Sequence, residues 1–275
     1  MRLCTGLAVC LVLGAQNAQA RPLGVDLGTA ASFAVLSGTT VTNTGATAIN
    51  GDLGTWPGTA VTGFPPGIVL NGAIHAGDSV AATAHADLAA AYAAAALAQP
   101  GTVLTGTNLG GLTLTPGTYS FASSAQLTGT LTLDGGGSSA GFLFRIGSAL
   151  TTASGSSVVL VNAGLGSSVV FQVGSSATLG TGTAFTGSIL AMSDITLDTG
   201  AAIQGGGAFA RDGAVTLSGN TVSAAALAPL PETSIPEPAS GLVLGLGALV
   251  AMATRARRVL QLVDRGNRAG AACAA

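Results

Sequence analysis

The chain has 275 residues, of which 48% are hydrophobic, 7% charged and 4% aromatic, and 42 are glycine. All nine basic residues are arginine, and between residues 21 and 235 only Arg21, Arg145 and Arg211 stand against eight aspartates and Glu232, a net charge of −6. No basic patch can neutralise phosphates, which excludes nucleic acid as a partner, and with Cys4, Cys10 and Cys273 confined to the two ends, the long middle region has no disulfide framework or cysteine metal site.

Residues 1–20 read as a secretory signal peptide. Arg2 supplies the charged start, residues 7–13 the apolar core and Ala18-Gln19-Ala20 an A-x-A cleavage site. Cleavage after Ala20 leaves a mature region that runs from Arg21 to the tail, in which residues 21–223 are enough for one domain of roughly 200 residues with a core of its own. The bias towards Gly, Ala, Ser and Thr would suit disorder. Val, Ile, Leu and Phe nevertheless recur regularly enough to build a core. Residues 51–76, with Trp56-Pro57-Gly58 and Phe64-Pro65-Pro66-Gly67, are expected to be irregular loops covering one end. One helix is expected at about 79–98. The stretch is alanine-rich and free of glycine, opens on the N-cap candidates Asp78 and Ser79, and closes at Pro100-Gly101. Its large apolar residues are few, so a smooth alanine face can lie close against a sheet.

Internal repeats dominate the rest. Phe144-Arg145-Ile146-Gly147-Ser148 returns as Phe171-Gln172-Val173-Gly174-Ser175, 27 residues on. Leu179-Gly180-Thr181-Gly182-Thr183 and its sequel to Gly187 return from Leu197 to Gly205, 18 on, and Ile195-Thr196-Leu197 returns as Val215-Thr216-Leu217 after 20. A period of this size is one coil of a β-solenoid, three short strands joined by tight corners. Threonine and valine favour the strands, and glycine supplies the corners. Residues 224–234 form a linker.

Taken in order, Ala31-Ser32-Phe33-Ala34-Val35-Leu36-Ser37-Gly38, Thr42-Asn43-Thr44-Gly45, Asn50-Gly51-Asp52-Leu53-Gly54, Leu114-Thr115-Pro116-Gly117-Thr118-Tyr119, Phe171-Gln172-Val173-Gly174 and Gly187-Ser188-Ile189-Leu190-Ala191 resemble the bacterial and microalgal ice-binding protein family, also called the DUF3494 domain. The resemblance spans residues 27–223. It implies a mostly β fold, a discontinuous right-handed β-solenoid (β-helix) of triangular section with one long α-helix packed alongside and the first coil seated between later ones. It also implies adsorption to ice or ordered water through one flat face rich in Thr, Ser and Asn, by a monomer. Family members often carry T-A/G-x-T/N on that face. Thr44-Gly45-Ala46-Thr47, Thr47-Ala48-Ile49-Asn50 and Thr105-Gly106-Thr107-Asn108 fit literally, and Ser218-Gly219-Asn220-Thr221 is close. The ice-contact candidates are therefore Thr44, Thr47, Asn50, Thr181, Thr183, Thr199, Thr216 and Asn220. Asn43, Gly51, Asp52 and Gly54 belong to the family's general pattern and are expected to be structural.

Enzyme chemistry finds little to work with. His75 and His85 flank the start of the helix without metal or triad spacing. Carboxylates are scattered, and the triple glycines at 135–137 and 205–207 lack the Lys-Ser/Thr of a phosphate loop. No catalytic residue, metal ligand or cofactor is expected. The rival to ice binding is a surface or matrix protein that uses the solenoid as a spacer or adhesive.

Near the C-terminus, Pro236-Glu237-Pro238 precedes an apolar run at 241–253 and then Arg255, Arg257 and Arg258. This resembles the PEP-CTERM sorting signal of Gram-negative bacteria and places the signal at 235–258. The resemblance implies an exosortase-type partner that recognises the tripeptide, transient anchoring in the inner membrane, and release to the cell surface or matrix. The prolines keep the tripeptide extended, and the arginines hold the cytoplasmic side. The apolar run is shorter than the roughly 20 residues of a permanent span. Residues 259–275 continue past the point where that signal normally stops.

Overall fold

A computed structural model describes residues 24–99 and 101–224. The signal peptide, nearly all of the linker, the sorting signal and the tail lie outside the described residues. A short 3-10 helix, Gly28–Ser32, leads into β1 (Phe33–Ser37), β2 (Thr40–Thr44) and β3 (Ala48–Asn50). Then come β4 (Asp52–Thr55), β5 (Ala60–Thr62), β6 (Ile68–Leu70) and β7 (Ile74–Ala76), followed by α1 (Ser79–Leu97). Beyond the helix lie β8 (Thr102–Val103) and β9 (Thr113–Leu114), then β10 (Gly117–Phe121), β11 (Ala125–Leu127) and β12 (Thr130–Asp134). The later coils are β13 (Gly141–Ile146), β14 (Leu150–Thr152) and β15 (Ser157–Val161), then β16 (Ser168–Val173), β17 (Ala177–Leu179) and β18 (Ala184–Thr186). The last two are β19 (Ser188–Ala191), β20 (Ile195–Leu197) and β21 (Ala202–Gln204), then β22 (Ala208–Ala210), β23 (Val215–Ser218) and β24 (Thr221–Ser223).

Successive strands fall in turn into three parallel sheets, the arrangement of a solenoid. Sheet A runs β7-β4-β1-β22-β19-β16-β13-β10-β8, sheet B β11-β14-β17-β20-β23-β2-β5, and sheet C β6-β3-β24-β21-β18-β15-β12-β9. The winding is discontinuous. After α1 the chain restarts at the far end of the stack and works back, until β22, β23 and β24 pair with β1, β2 and β3. The first coil thus sits between the second and the last. The repeats legible in the sequence are the pairing registers themselves: Phe144 pairs with Phe171, Leu179 with Leu197 and Ile195 with Val215.

Residues 51–76 correct an expectation. They hold four short strands rather than irregular loops, β5, β6 and β7 at the terminal edges of the three sheets and β4 between β7 and β1. Strands of three residues such as β5 and β6 place one side chain inward, Val61 or Val69, so no alternation is long enough to notice.

Inward side chains from all three sheets make one core. At its centre Tyr119, Phe144 and Phe171 stack one coil above another, with Phe144 and Phe171 parallel at 4.3 Å between ring centres, and Phe185 of the same coil as Phe171 is tilted against it. Corners are turned by glycines in left-handed backbone, as at Gly182 (φ 66°) and Gly200 (φ 73°), which occupy equivalent places 18 residues apart.

The helix covers the outer side of sheet A. Ala84, Leu88, Ala91, Tyr92 and Ala95 meet Leu36, Leu143, Val170, Leu190 and Phe209 in a second buried layer. Such an alanine-rich helix gains most of its stability from this docking rather than from propensity. Both ends are tied down. The Asp78 carboxylate accepts from Ala81 N at 2.9 Å at the start. At the other end the Arg145 guanidinium donates to Ala98 O at 2.8 Å and to Ala96 O, a cation on the negative end of the helix dipole.

Candidate functional site

Sheets A, B and C differ in what they show outward. Sheet A is covered by α1. Sheet C mixes Thr221, Ser223, Gln204 and Asn50 with Ala48, Ala184, Ala202, Val159, Ile68 and Leu70, so no polar residue type continues along it: Ala184, Ala202, Thr221, Ala48 and Ile68 stand in one register.

Sheet B is regular. Its short strands read apolar-Thr-apolar: Ala177-Thr178-Leu179, Ile195-Thr196-Leu197 and Val215-Thr216-Leu217. A strand turns alternate residues to opposite faces, so the flanking residues enter the core and the threonine faces out. The registers then place Gln126 beside Thr151, Thr151 beside Thr178, Thr178 beside Thr196, Thr196 beside Thr216, Thr216 beside Thr42, and Thr42 beside Thr62. Six threonines on successive strands thus form one column, extended by Gln126 and by the bridge from Gln126 to Asn108. At about 4.8 Å per strand the six span roughly 24 Å. β-Branching restricts χ1, so each side chain repeats a hydroxyl and a methyl in a stiff array.

The expected candidates divide three ways. Thr216 is in the column. Thr44 is exposed on the same sheet, two residues along from Thr42 and beside Ser218, and its hydroxyl donates to Leu217 O at 3.3 Å. Thr181 and Thr199 are exposed on the turns from sheet B to sheet C, with the Thr199 hydroxyl 3.0 Å from that of Ser218. Asn50 is exposed on sheet C, where it accepts from Asn71. Thr47, Thr183 and Asn220 are corrections: expected on a surface, they are 0%, 1% and 1% exposed and bonded inside the corner between sheets B and C. In Thr44-Gly45-Ala46-Thr47 the spacing crosses that corner, and its last residue turns inward, where its hydroxyl accepts from Asn220 N. The column residues Thr42, Thr62, Thr151, Thr178 and Thr196 are not among the expected candidates. The signal that locates them is the apolar-Thr-apolar tripeptide, which puts threonine alone on the outer face.

No acid or base occupies the column. Elsewhere, His75 Nδ1 lies 2.7 Å from Asp78 and His85 Nε2 lies 2.6 Å from Arg211 O. Among the described residues, no three His, Cys, Asp or Glu are placed to hold a metal. Three carboxyls are held below the usual 3.8. Asp78 is lowered first by Ala81 N and then by His75, Asp87 by the Thr29 hydroxyl and amide, and Asp134 by Gly136 N and Asn162. A folded pKa below the unfolded one means that the carboxylate's contribution is present above the unfolded value and lost as pH falls through the folded one. The thermal midpoint should therefore stay level from pH 7 to about 5 and decline below about pH 4. Asp87→Asn should blunt the decline; an identical acid profile for that variant would show that Thr29 does not stabilise the anion.

A family model described as Ice-binding-like matches residues 35–223. The chain belongs to the ice-binding family. Among the relatives of this family member is a protein of Nostoc sp. (strain HG1) named "Ice-binding protein", 57% identical over 224 residues, which are 80% of this chain and 82% of that one. The fold is shared with solved ice-binding family structures. One is the crystal structure of an ice-binding protein from an Antarctic biological consortium, 46% identical with a TM-score of 0.67 over 72% of this chain and 90% of that one. Another, from the Antarctic ascomycete Antarctomyces psychrotrophicus, is 41% identical with a TM-score of 0.68 over 74% of this chain and 99% of that one.

Proposed function

We propose that this chain is an exported ice-binding protein that adsorbs to ice through the outer face of sheet B. The observation that carries the reading is the column of six threonines in register on an uncharged sheet that no element among the described residues covers. Family membership and relatives named for ice binding support it. Adsorption needs shape and ordered water rather than a reaction. Hydroxyls at a fixed interval anchor waters between the rungs, the methyls keep the surface from being fully wetted, and the ordered layer merges with the lattice. No catalytic residue or cofactor takes part. The three sheets close into a right-handed solenoid of triangular section, which keeps the face flat, and the domain acts as a monomer.

Export begins with removal of the leader after Ala20. An exosortase-type enzyme then acts on Pro236-Glu237-Pro238 while the 241–253 run and Arg255, Arg257 and Arg258 hold the precursor in the inner membrane, and the product reaches the surface or matrix. A Glu237→Ala precursor should accumulate in the membrane fraction. Unchanged release would count against this route.

The adsorption reading is tested by growing ice in the purified protein at micromolar concentration. Faceted crystals or arrested coarsening support it. Smooth discs and normal coarsening from a folded sample would overturn it in favour of a matrix protein that uses the same stack as a spacer.

A further inference from the structure

Under the corner that joins sheets B and C lie buried polar side chains that adsorption does not touch: Asn43, Thr47, Thr152, Ser156 and Asn220, each at most 5% exposed. Their hydrogen bonds link neighbouring coils and brace the corner within each coil. Asn43 Nδ2 donates to Gly63 O at 2.8 Å, and Thr47 Oγ1 donates to Asn43 Oδ1 while accepting from Asn220 N at 3.1 Å. Asn220 Oδ1 accepts from Ser218 N, and its Nδ2 donates to Asp198 O at 2.8 Å. Further along the stack, Thr152 Oγ1 accepts from Gly180 N at 2.9 Å, and Ser156 Oγ donates to Leu127 O at 3.0 Å.

The partners are not scattered. Gly63 follows Thr62, Asn43 follows Thr42, and Ser218, Asp198 and Gly180 come two residues after Thr216, Thr196 and Thr178. Thr152 follows Thr151 and Leu127 follows Gln126. Every rung of the column is therefore tied, within two residues, to a buried side-chain bond. Three-residue strands have few ladder bonds to resist slippage. A displacement of about 0.2 Å per rung would accumulate to about 1 Å across the column, beyond the roughly 0.5 Å that a preorganised site tolerates.

We infer that this buried polar spine positions the threonine column, Thr47 and Thr152 being positioning residues for adsorption. The inference rests on the adsorption reading. Thr47→Val and Thr152→Val keep the shape and remove the hydroxyl. Each should fold with a cooperative melt yet need at least about fivefold more protein to halt ice recrystallisation, since each hydroxyl makes two hydrogen bonds and one alone corresponds to about that factor. Thr47→Ser should restore the endpoint. Tyr92→Phe removes the bond to Val173 O on the helix side, and should lower the melting midpoint without moving the ice endpoint.

A folded valine variant with an unchanged endpoint overturns the inference. So does a Tyr92→Phe variant that loses ice activity in proportion to its melting point, or failure of both valine variants to fold, since the spine would then serve stability alone. If the unsubstituted protein leaves ice unaltered, the adsorption reading fails first and the inference falls with it.

Discussion

Replacing Thr196 by tyrosine is expected to abolish ice shaping while leaving the fold intact. Thr196 is a central rung, paired with Thr178 on one side and Thr216 on the other. A tyrosine ring there would stand above the neighbouring threonines and hold the lattice away from all of them, so the loss should far exceed one sixth of the contact. Stability should hardly change. The side chain leaves the sheet towards solvent, where substitutions usually stay within about 0.5 kcal/mol, and tyrosine is a good strand former. The matching control is Thr221→Tyr on sheet C, which should leave activity untouched. Ice shaping that survives Thr196→Tyr but disappears with Thr221→Tyr would move the binding face to sheet C.

Phe171→Ala should do the reverse, striking stability first. Phe171 is fully buried, stacked on Phe144 at 4.3 Å and tilted against Phe185 at 4.8 Å, on a strand flanked by β13 and β19. Truncating such a ring costs about 3–5 kcal/mol in lost transfer energy and residual cavity. That is a large share of the 5–15 kcal/mol that a domain typically has. In a stack where each coil contacts mainly its neighbours, the damage also separates the two sides. Chemical denaturation should show a much earlier midpoint and a broader transition. A loss under about 1.5 kcal/mol would mean that Tyr119 and Phe144 collapse into the space.

Much of the architecture was legible because repeats in a solenoid are registers. The 27-residue return of Phe144 at Phe171 and the 18-residue return of Leu179 at Leu197 are pairings across one coil. The helix was legible too, since Asp78 marks its start in sequence and caps it in space. The site was harder. T-A/G-x-T/N motifs point to Thr47 and, less literally, to Asn220, and the corner turns both inward, as it does Thr183. A motif records spacing along the chain, whereas exposure at a corner depends on which residue turns to satisfy backbone groups.

Composition, repeat period and helix cap are local properties, and they are enough to specify short strands, glycine corners and a helix with an alanine face. Which sheet is left bare is not local. That depends on α1 docking on sheet A and on the return of β22–β24 to the first coil, contacts between residues 173 and 174 positions apart, such as Leu36 and Phe209 or Thr42 and Thr216. Only when the late strands close against β2 do Thr178, Thr196 and Thr216 continue into Thr42 and Thr62 as one column. Its regularity is a property of the assembled stack, because side chains far apart in the chain become neighbours only through backbone pairing.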